Sequence, residues 1–184
     1  MFFNLFGGKK EERPKKYFND LTFLSAAAKQ QALVRCLKDN PSVVAVAWFP
    51  DTVLQVKGLF VQEGIPESSI VDARNYSALK YPGRKIIFAE HYPVHEKELQ
   101  LVENAEQESF DVYSSLDEPL FKFFNGERII DVLKRMGGSE TEAFQHSMIS
   151  KSVESAQKKI AKRITVEQSG TSQAEWFKRN FPKK

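Results

Sequence analysis

A single cysteine, the lack of any long apolar run and a small net charge are the first features of this sequence. Cys36 is its only cysteine, which excludes an internal disulfide and a multi-cysteine metal cluster and favours a reducing compartment. No apolar stretch approaches the roughly 18 residues that a membrane-spanning helix needs. Residues 1–8 are apolar but have neither a basic lead nor a small-residue cleavage site, which argues against a secretory signal. We therefore expect a cytoplasmic protein that does not span a membrane.

The composition is that of a folded domain. Hydrophobic residues make up 41% of the chain, charged residues 28%, and 15 residues are phenylalanine. So many large apolar side chains argue against wholesale disorder. The length of 184 residues fits one domain with an appendage, because a chain of about 150 residues buries about 70% of its unfolded surface.

The net charge of +3 hides a strong segregation of sign along the chain. Residues 90–118 contain nine carboxylates and one lysine, a charge of −8, whereas residues 151–184 contain nine basic and three acidic side chains, a charge of +6. Such blocks are most typical of solvated faces. Two other interpretations stay open: the blocks pair with each other, or the basic tail docks on an anionic partner.

Apolar periodicity predicts alternating helices and strands over the first two thirds of the chain. Residues 7–20 are interpreted as a polar lead-in. The predicted elements that follow are a helix from Ser25 to Asp39, a strand at 43–49, a helix from Asp51 to Glu63, strands at 70–71 and 86–89, a helix at 94–107 and a strand at 110–113. The alternation predicts a small parallel sheet of about four or five strands with helices on both faces.

From residue 115 onward the pattern predicts helices alone. Their expected start signals are a capping box of Ser115 and Glu118 before the apolar run 120–124, a cap at Asn125 for a helix over 127–136, and Ser150 for a third helix. Residues 173–181 predict a short amphipathic terminal helix with Trp176 and Phe177 on its apolar face. Cys36 lies on the apolar stripe of the first helix and is interpreted as a core residue.

Motifs that would carry chemistry are weak. Residues 7–10 imitate a fragment of a phosphate-binding loop but lack its first glycine and its Ser/Thr. His91 and His95 have the spacing of two zinc ligands on one helical face, but Pro93 between them disfavours a regular helix, so a surface or helix-entry role is the preferred interpretation. His146 is interpreted as structural. No metal or cofactor is expected.

The helical part carries a series of short motifs in a fixed order. They are Val112 to Asp117, Leu120 to Phe124, Glu127 to Ile129, Leu133 to Gly137, Gln145-His146 and Ala156 to Ile160. Order and spacing resemble the SecA preprotein translocase ATPase family, where the chain leaves the second motor domain and enters the helical scaffold. The family pattern there is Phe-Tyr-x-Ser-Leu-Glu-Asp, Leu-x-x-x-Phe, Asp-Arg-Val/Ile, Met/Leu-x-x-Leu-Gly, Glu-His-Pro and Ala-Gln-x-Lys-Val.

Upstream the resemblance is looser but stays in register. The matching stretches are Ala27 to Leu37, Val43 to Phe49, Gly64 to Asn75 and Ile86 to His91, so coverage runs from about residue 20 to 164. The resemblance implies a small RecA-like α/β sheet with a C-terminal helical extension. Within that coverage it implies a degenerate motor domain (20–114) and a scaffold-like helical extension (115–164). Composition and pattern add a flexible lead-in (1–19) and a linker with a short basic amphipathic tail (165–184).

Departures from the family pattern determine the expected function. The family's arginine-rich motif reaches the ATP phosphates, but the corresponding residues 93–109 contain no arginine and are strongly acidic, and carboxylates would repel a triphosphate. The glycine-rich motif expected between Asn75 and Lys85 is missing, as is a first motor domain with its P-loop. The resemblance thus implies a pseudo-ATPase without catalytic residues, kept as a scaffold.

We therefore expect a non-enzymatic SecA-related module that binds a protein partner, as an accessory or regulator in protein translocation. The residues expected to contact the partner are Glu96, Glu98, Glu103, Glu106, Lys158, Lys159, Lys162, Arg163, Trp176, Phe177, Lys178 and Arg179. Two alternatives stay open. One is single-stranded nucleic-acid binding, since helicase-type motors share this fold and the basic tail is interleaved with aromatics; the other is nucleotide binding without hydrolysis.

Overall fold

A computed structural model describes residues 15–123 and 141–182. Its strands are β1 (Tyr17–Phe23), β2 (Val44–Ala47), β3 (Ile70–Asp72), β4 (Ile86–Phe88) and β5 (Ser109–Ser115), and its α-helices are α1 (Ala26–Asp39), α2 (Pro50–Gln62), α3 (His95–Val102), α4 (Pro119–Phe123), α5 (Ser147–Arg163) and α6 (Gln173–Asn180). Short 3₁₀ turns cover Glu67–Ser69, Ala73–Asn75 and Ala78–Lys80. None of the helices described is long and apolar enough to cross a membrane.

The five strands form one sheet in the order β1-β5-β4-β2-β3, and every pair in it is parallel. Side chains alternate between the two faces of each strand. Ala45 and Ala47 pack with α1 and α2 on one face, whereas Val44 and Val46 pack with α3 on the other. The predicted small RecA-like parallel sheet with helices on both faces is confirmed.

The C-terminal helices build a third apolar cluster at the carboxyl edge of the sheet. Phe49 and Leu116, which follow β2 and β5, pack with residues of α4, α5 and α6 in this cluster. Trp176 is its largest member and is fully buried. The helical extension therefore closes over the ends of the strands rather than over a face of the sheet.

Several start and stop signals act as predicted. Ser25 caps α1 by accepting a hydrogen bond from the backbone N–H of Ala28. Gly64 ends α2 with a φ of 68°, a left-handed conformation that glycine adopts without steric cost. At Ser115 only half of the predicted capping box forms: its backbone N–H donates to Glu118 Oε1 over 3.2 Å, but its own hydroxyl has no partner among the described residues.

Other boundaries differ from the predictions. Residues 17–20 are not part of a lead-in, because they belong to β1, which pairs with β5 along its whole length. Helix α2 begins at Pro50 after an N-cap at Phe49, so Asp51 lies inside the first turn.

Two further helix limits are also corrected. Helix α3 ends at Val102 rather than at residue 107. Helix α5 begins three residues before Ser150 and is capped by His146, whose Nδ1 accepts from the backbone N–H of Met148; this confirms a structural role for that histidine. The predictions at residues 7–10, at Phe124 and Asn125, and over 127–136 lie outside the described residues.

Candidate functional site

The parallel sheet has a topological switch point between β2 and β4. From β2 the chain leaves through α2 on one face toward β3, and from β4 it leaves through α3 on the other face toward β5. The loops after these two adjacent strands therefore part, and in open α/β sheets the resulting crevice at the carboxyl edge is the usual ligand site. We call it the carboxyl-edge crevice.

Glu90 fills the carboxyl-edge crevice at the start of α2. Its Oε1 accepts hydrogen bonds from the backbone N–H groups of Trp48 and Phe49, each over 3.0 Å, and its Oε2 accepts from the hydroxyl of Thr52 over 2.8 Å. The side chain is 4% exposed. A helix N-terminus attracts anions because its free N–H groups and dipole are positive, and here the chain's own carboxylate takes that position.

Lys29 lies beside Glu90 and forms a second buried polar group. Its ammonium donates to the carbonyl of Ala89 over 3.0 Å and to Glu118 Oε1 over 2.6 Å. Burial lowers the pKa of Lys29, but the charges of Glu118 and Glu90 outweigh it and raise the pKa overall. Burial raises the pKa of Glu90 to about 7, and the attraction of Lys29 reduces that rise.

His91 is held between two carboxylates in the interior. Its Nε2 donates to Asp20 Oδ1 over 2.5 Å and its Nδ1 to Glu98 Oε1 over 2.9 Å, and an imidazole that donates from both nitrogens is protonated. Burial alone would lower the pKa of His91, but the charge of Glu98 and the hydrogen bonds to both carboxylates raise it to about 10. All three side chains are under 7% exposed.

Glu98 joins three elements through its two oxygens. It accepts from His91, from the backbone N–H of Tyr92 over 2.8 Å, from His95 over 3.1 Å and from Gln157 of α5 over 2.9 Å. Burial would raise the pKa of Glu98, but the charge and hydrogen bond of His91 together with the other donors lower it to about 2. The acidic α3 is therefore attached to the basic α5 by an interior hydrogen bond.

The two histidines of the sequence motif thus have different roles. His95 is the first residue of α3, as the helix-entry interpretation expected, whereas the interpretation of His91 as a surface residue is wrong, because it is 2% exposed. Within residues 15–123 and 141–182 no group of three or more His, Cys, Asp and Glu side chains is arranged to hold a metal ion.

The segment after α5 covers the carboxyl-edge crevice. Gln173 donates to the carbonyl of His91 over 3.1 Å and accepts from the backbone N–H of Leu120 over 2.7 Å. The hydroxyl of Thr171 donates to Asp51 Oδ2 over 3.0 Å, and Trp176 donates to Glu167 over 2.9 Å. These contacts fix the tail across the ends of β2 and β4.

A cavity lies beside the crevice, between the aromatic residues after β2 and β4 and the tail. It measures about 250 Å³, and Trp48, Phe49, Tyr92 and Trp176 form its apolar wall. Arg74, which follows β3, and Lys97 of α3 also line it. We call it the aromatic cavity.

The residues predicted as partner contacts fall into two groups. The first group is accessible: Phe177 is half-buried, and nine residues are exposed, namely Glu96, Glu103, Glu106, Lys158, Lys159, Lys162, Arg163, Lys178 and Arg179. Glu98 and Trp176 are 1% and 0% exposed, which corrects their placement on a contact surface. A buried side chain in this fold cannot present itself to a partner.

Sequence reasoning missed the interior polar groups. Lys29, Asp20 and Glu90 were not candidates, because each stands among ordinary residues of its own segment. The signal available was the position of Glu90 and His91 directly after a buried strand, the place where polar side chains reach the carboxyl edge of a parallel sheet.

No known protein-family profile matches the chain. Part of it is similar to curated protein translocase subunits SecA: 52% identical over 52 residues to that of Christiangramia forsetii, 45% over 51 residues to that of Aromatoleum aromaticum, and 41% over 51 residues to that of Acinetobacter baylyi. Each match covers 28% of this chain and 5–6% of the relative. The resemblance to SecA is thus confirmed for a segment of the chain, which corresponds to a small part of those proteins.

Proposed function

We propose that this chain is a non-catalytic, SecA-related interaction module that binds a protein partner and acts as an accessory or regulator in protein translocation. The observation that carries the proposal is the Glu90 carboxylate, which occupies the start of α2 in the carboxyl-edge crevice. The similarity to a subunit of the protein translocase supports the link to that process.

The electrostatics of the crevice oppose a triphosphate. Glu90 and Glu118 are both inside it, and the only cation bonded to them among the described residues is Lys29. Phosphoryl transfer depends on cations that stabilise the charge of the transferred group. A nucleotide would have to displace Glu90 from two backbone N–H groups and bring its phosphates close to a second carboxylate.

The basic face of α5 is the preferred contact surface for the partner. Lys158, Lys159 and Lys162 are exposed on it. The guanidinium of Arg163 lies 5.0 Å from the ring centroid of Phe181 and 5.7 Å from that of Phe123, which ties the tail to this face. A partner of opposite charge would associate faster through such a patch.

Direct binding to the host's translocase tests the proposal. The protein is immobilised and exposed to purified SecA and to membranes that contain the assembled translocase. We expect saturable binding that weakens with added salt and is lost in Lys159→Glu/Lys162→Glu. The matched control is Arg35→Glu/Lys80→Glu, which changes the charge equally at exposed positions elsewhere. Absence of binding, or equal loss in both variants, would contradict the proposal.

The nucleic-acid alternative gains no support from the tail. Trp176 is buried, and Phe177 and Phe181 are half-buried against Phe123 and Arg163. Stacking on bases needs exposed aromatic faces, so the described part of the tail offers a phosphate backbone only its exposed cations, Lys178 and Arg179.

A further inference from the structure

We propose that the aromatic cavity receives one aromatic side chain of a protein partner, flanked in that partner by acidic residues. The inference rests on the proposed role in partner binding and names a second contact, separate from the basic face of α5. Nothing in the sequence pattern singled it out, because its lining is assembled from four separate segments of the chain.

The size of the cavity selects a single ring. Its volume is about 250 Å³, below the range of about 300–1,000 Å³ that pockets for drug-sized ligands occupy. Such a cavity at a surface fits one large side chain, and buried aromatic anchors carry much of the binding energy of protein interfaces.

The wall of the cavity is already fixed in place. Glu167 accepts hydrogen bonds from both the hydroxyl of Tyr92 and the indole of Trp176. The ring of Tyr92 lies 4.9 Å from that of Trp48 and 6.0 Å from that of Trp176. These are the centroid spacings at which aromatic rings attract one another. A rigid wall lowers the entropy cost of binding.

Two cations and one carboxylate line the cavity, and the carboxylate, Glu167, already accepts hydrogen bonds from the wall. Lys97 forms no ion pair among the residues that the structure describes. Arg74 uses Nε and Nη2 on Asp72, over 2.9 and 2.5 Å, which leaves its third nitrogen available. Two cationic side chains next to an apolar wall suit an aromatic ring that has carboxylates beside it.

The chain has two tryptophans, Trp48 and Trp176, and both line the cavity. Intrinsic tryptophan fluorescence therefore reports on this cavity and on the apolar cluster around Trp176. The full chain is titrated with the blocked peptide Glu-Glu-Phe-Glu-Glu, which contains no tryptophan, and with two matched peptides in which the phenylalanine is alanine or the glutamates are lysines.

We expect a saturable fluorescence change with the acidic phenylalanine peptide and none with the alanine peptide. Arg74→Glu/Lys97→Glu should weaken binding of the acidic peptide by about tenfold or more and strengthen binding of the lysine peptide. Both side chains are exposed, so the variant should fold; its unfolding curve provides the check.

Three results would overturn the inference. They are an unchanged fluorescence up to millimolar acidic peptide, equal binding of the alanine peptide, and binding of free phenylacetate as tight as that of the peptide, which would indicate a small-molecule site. The translocase experiment tests a different surface, because its variant changes Lys159 and Lys162. Failure of one proposal is therefore distinguishable from failure of the other.

Discussion

Replacing Glu90 with alanine removes the carboxylate from the carboxyl-edge crevice. The backbone N–H groups of Trp48 and Phe49 and the hydroxyl of Thr52 then lose their acceptor. A buried polar group without a partner costs about 1–3 kcal/mol, and water entering the vacated space relieves part of that, so we expect a loss of about 3 kcal/mol. For a chain of this length that loss lowers the Tm by about 6–12 °C.

Glu90→Gln is the matched control. Its amide oxygen can still accept from the two backbone N–H groups, and the neutral side chain resembles the protonated form of a carboxyl whose pKa burial raises to about 7. We therefore expect a cost below about 1 kcal/mol at pH 7. Thermal and urea unfolding of the three proteins measure these differences.

The pH dependence gives a second, independent check. A folded-state pKa of about 7 against a usual 4.5 means that Glu90 contributes stability below pH 4.5 and that this contribution is lost as the pH rises through 7. Glu90→Gln has no such titration. The unfolding free energy of the wild type minus that of Glu90→Gln should fall by roughly 2–3 kcal/mol from pH 5 to pH 8. A constant difference, or a Glu90→Gln protein as unstable as Glu90→Ala, would refute the reasoning.

The remaining predictions concern the interior and the tail. His91→Gln leaves buried carboxylates without their cation, and urea unfolding should show that the free energy of unfolding falls by about 3–5 kcal/mol. Because the pKa of His91 is about 10 and that of Glu98 about 2, the wild type loses the stabilising contribution of His91 toward high pH and that of Glu98 toward low pH. Equal losses at pH 3, 6 and 10 would therefore contradict the ion pair. Gly170→Ala places a Cβ 2.6 Å from the backbone nitrogen of Trp176 and should lower the free energy of unfolding by about 1–3 kcal/mol. Gly58→Ala, which has open space in the middle of α2, should raise the free energy of unfolding by about 0.5–1 kcal/mol. A change of the same sign in both variants would be contrary to the packing described. Trp176→Ala should cost about 3–5 kcal/mol and Trp176→Phe clearly less; a Tm unchanged in Trp176→Ala would mean that the tail does not close the crevice.

The sequence predicted those helix boundaries that depend on neighbouring residues. The cap at Ser25 and the left-handed turn at Gly64 depend on a few neighbouring residues, and both are confirmed. Strand β1 was missed because Asn19 and Asp20 make its first half look like a polar lead-in. Their environment is set by β5 and by His91, which is 71 residues from Asp20 in sequence, and no local pattern encodes such a pairing.

The candidate site was predictable only in part. The charge of residues 90–118 is visible in the sequence, but three of its nine carboxylates are interior: Glu90 and Glu98 are buried and Glu118 is paired with Lys29. The amphipathic pattern of the tail predicted an apolar face at Trp176, but not that the chain's own carboxyl edge would cover it. Which surface an apolar face meets is decided by tertiary packing, which periodicity does not contain.

The central claim is that the chain's own Glu90 occupies the place where this fold would bind an anionic ligand. Isothermal titration of the wild-type protein with ATP and with ADP, each with magnesium, tests that claim most directly. We expect no saturable heat up to millimolar nucleotide and no release of phosphate from ATP. Saturable binding at micromolar nucleotide, with or without hydrolysis, would contradict it.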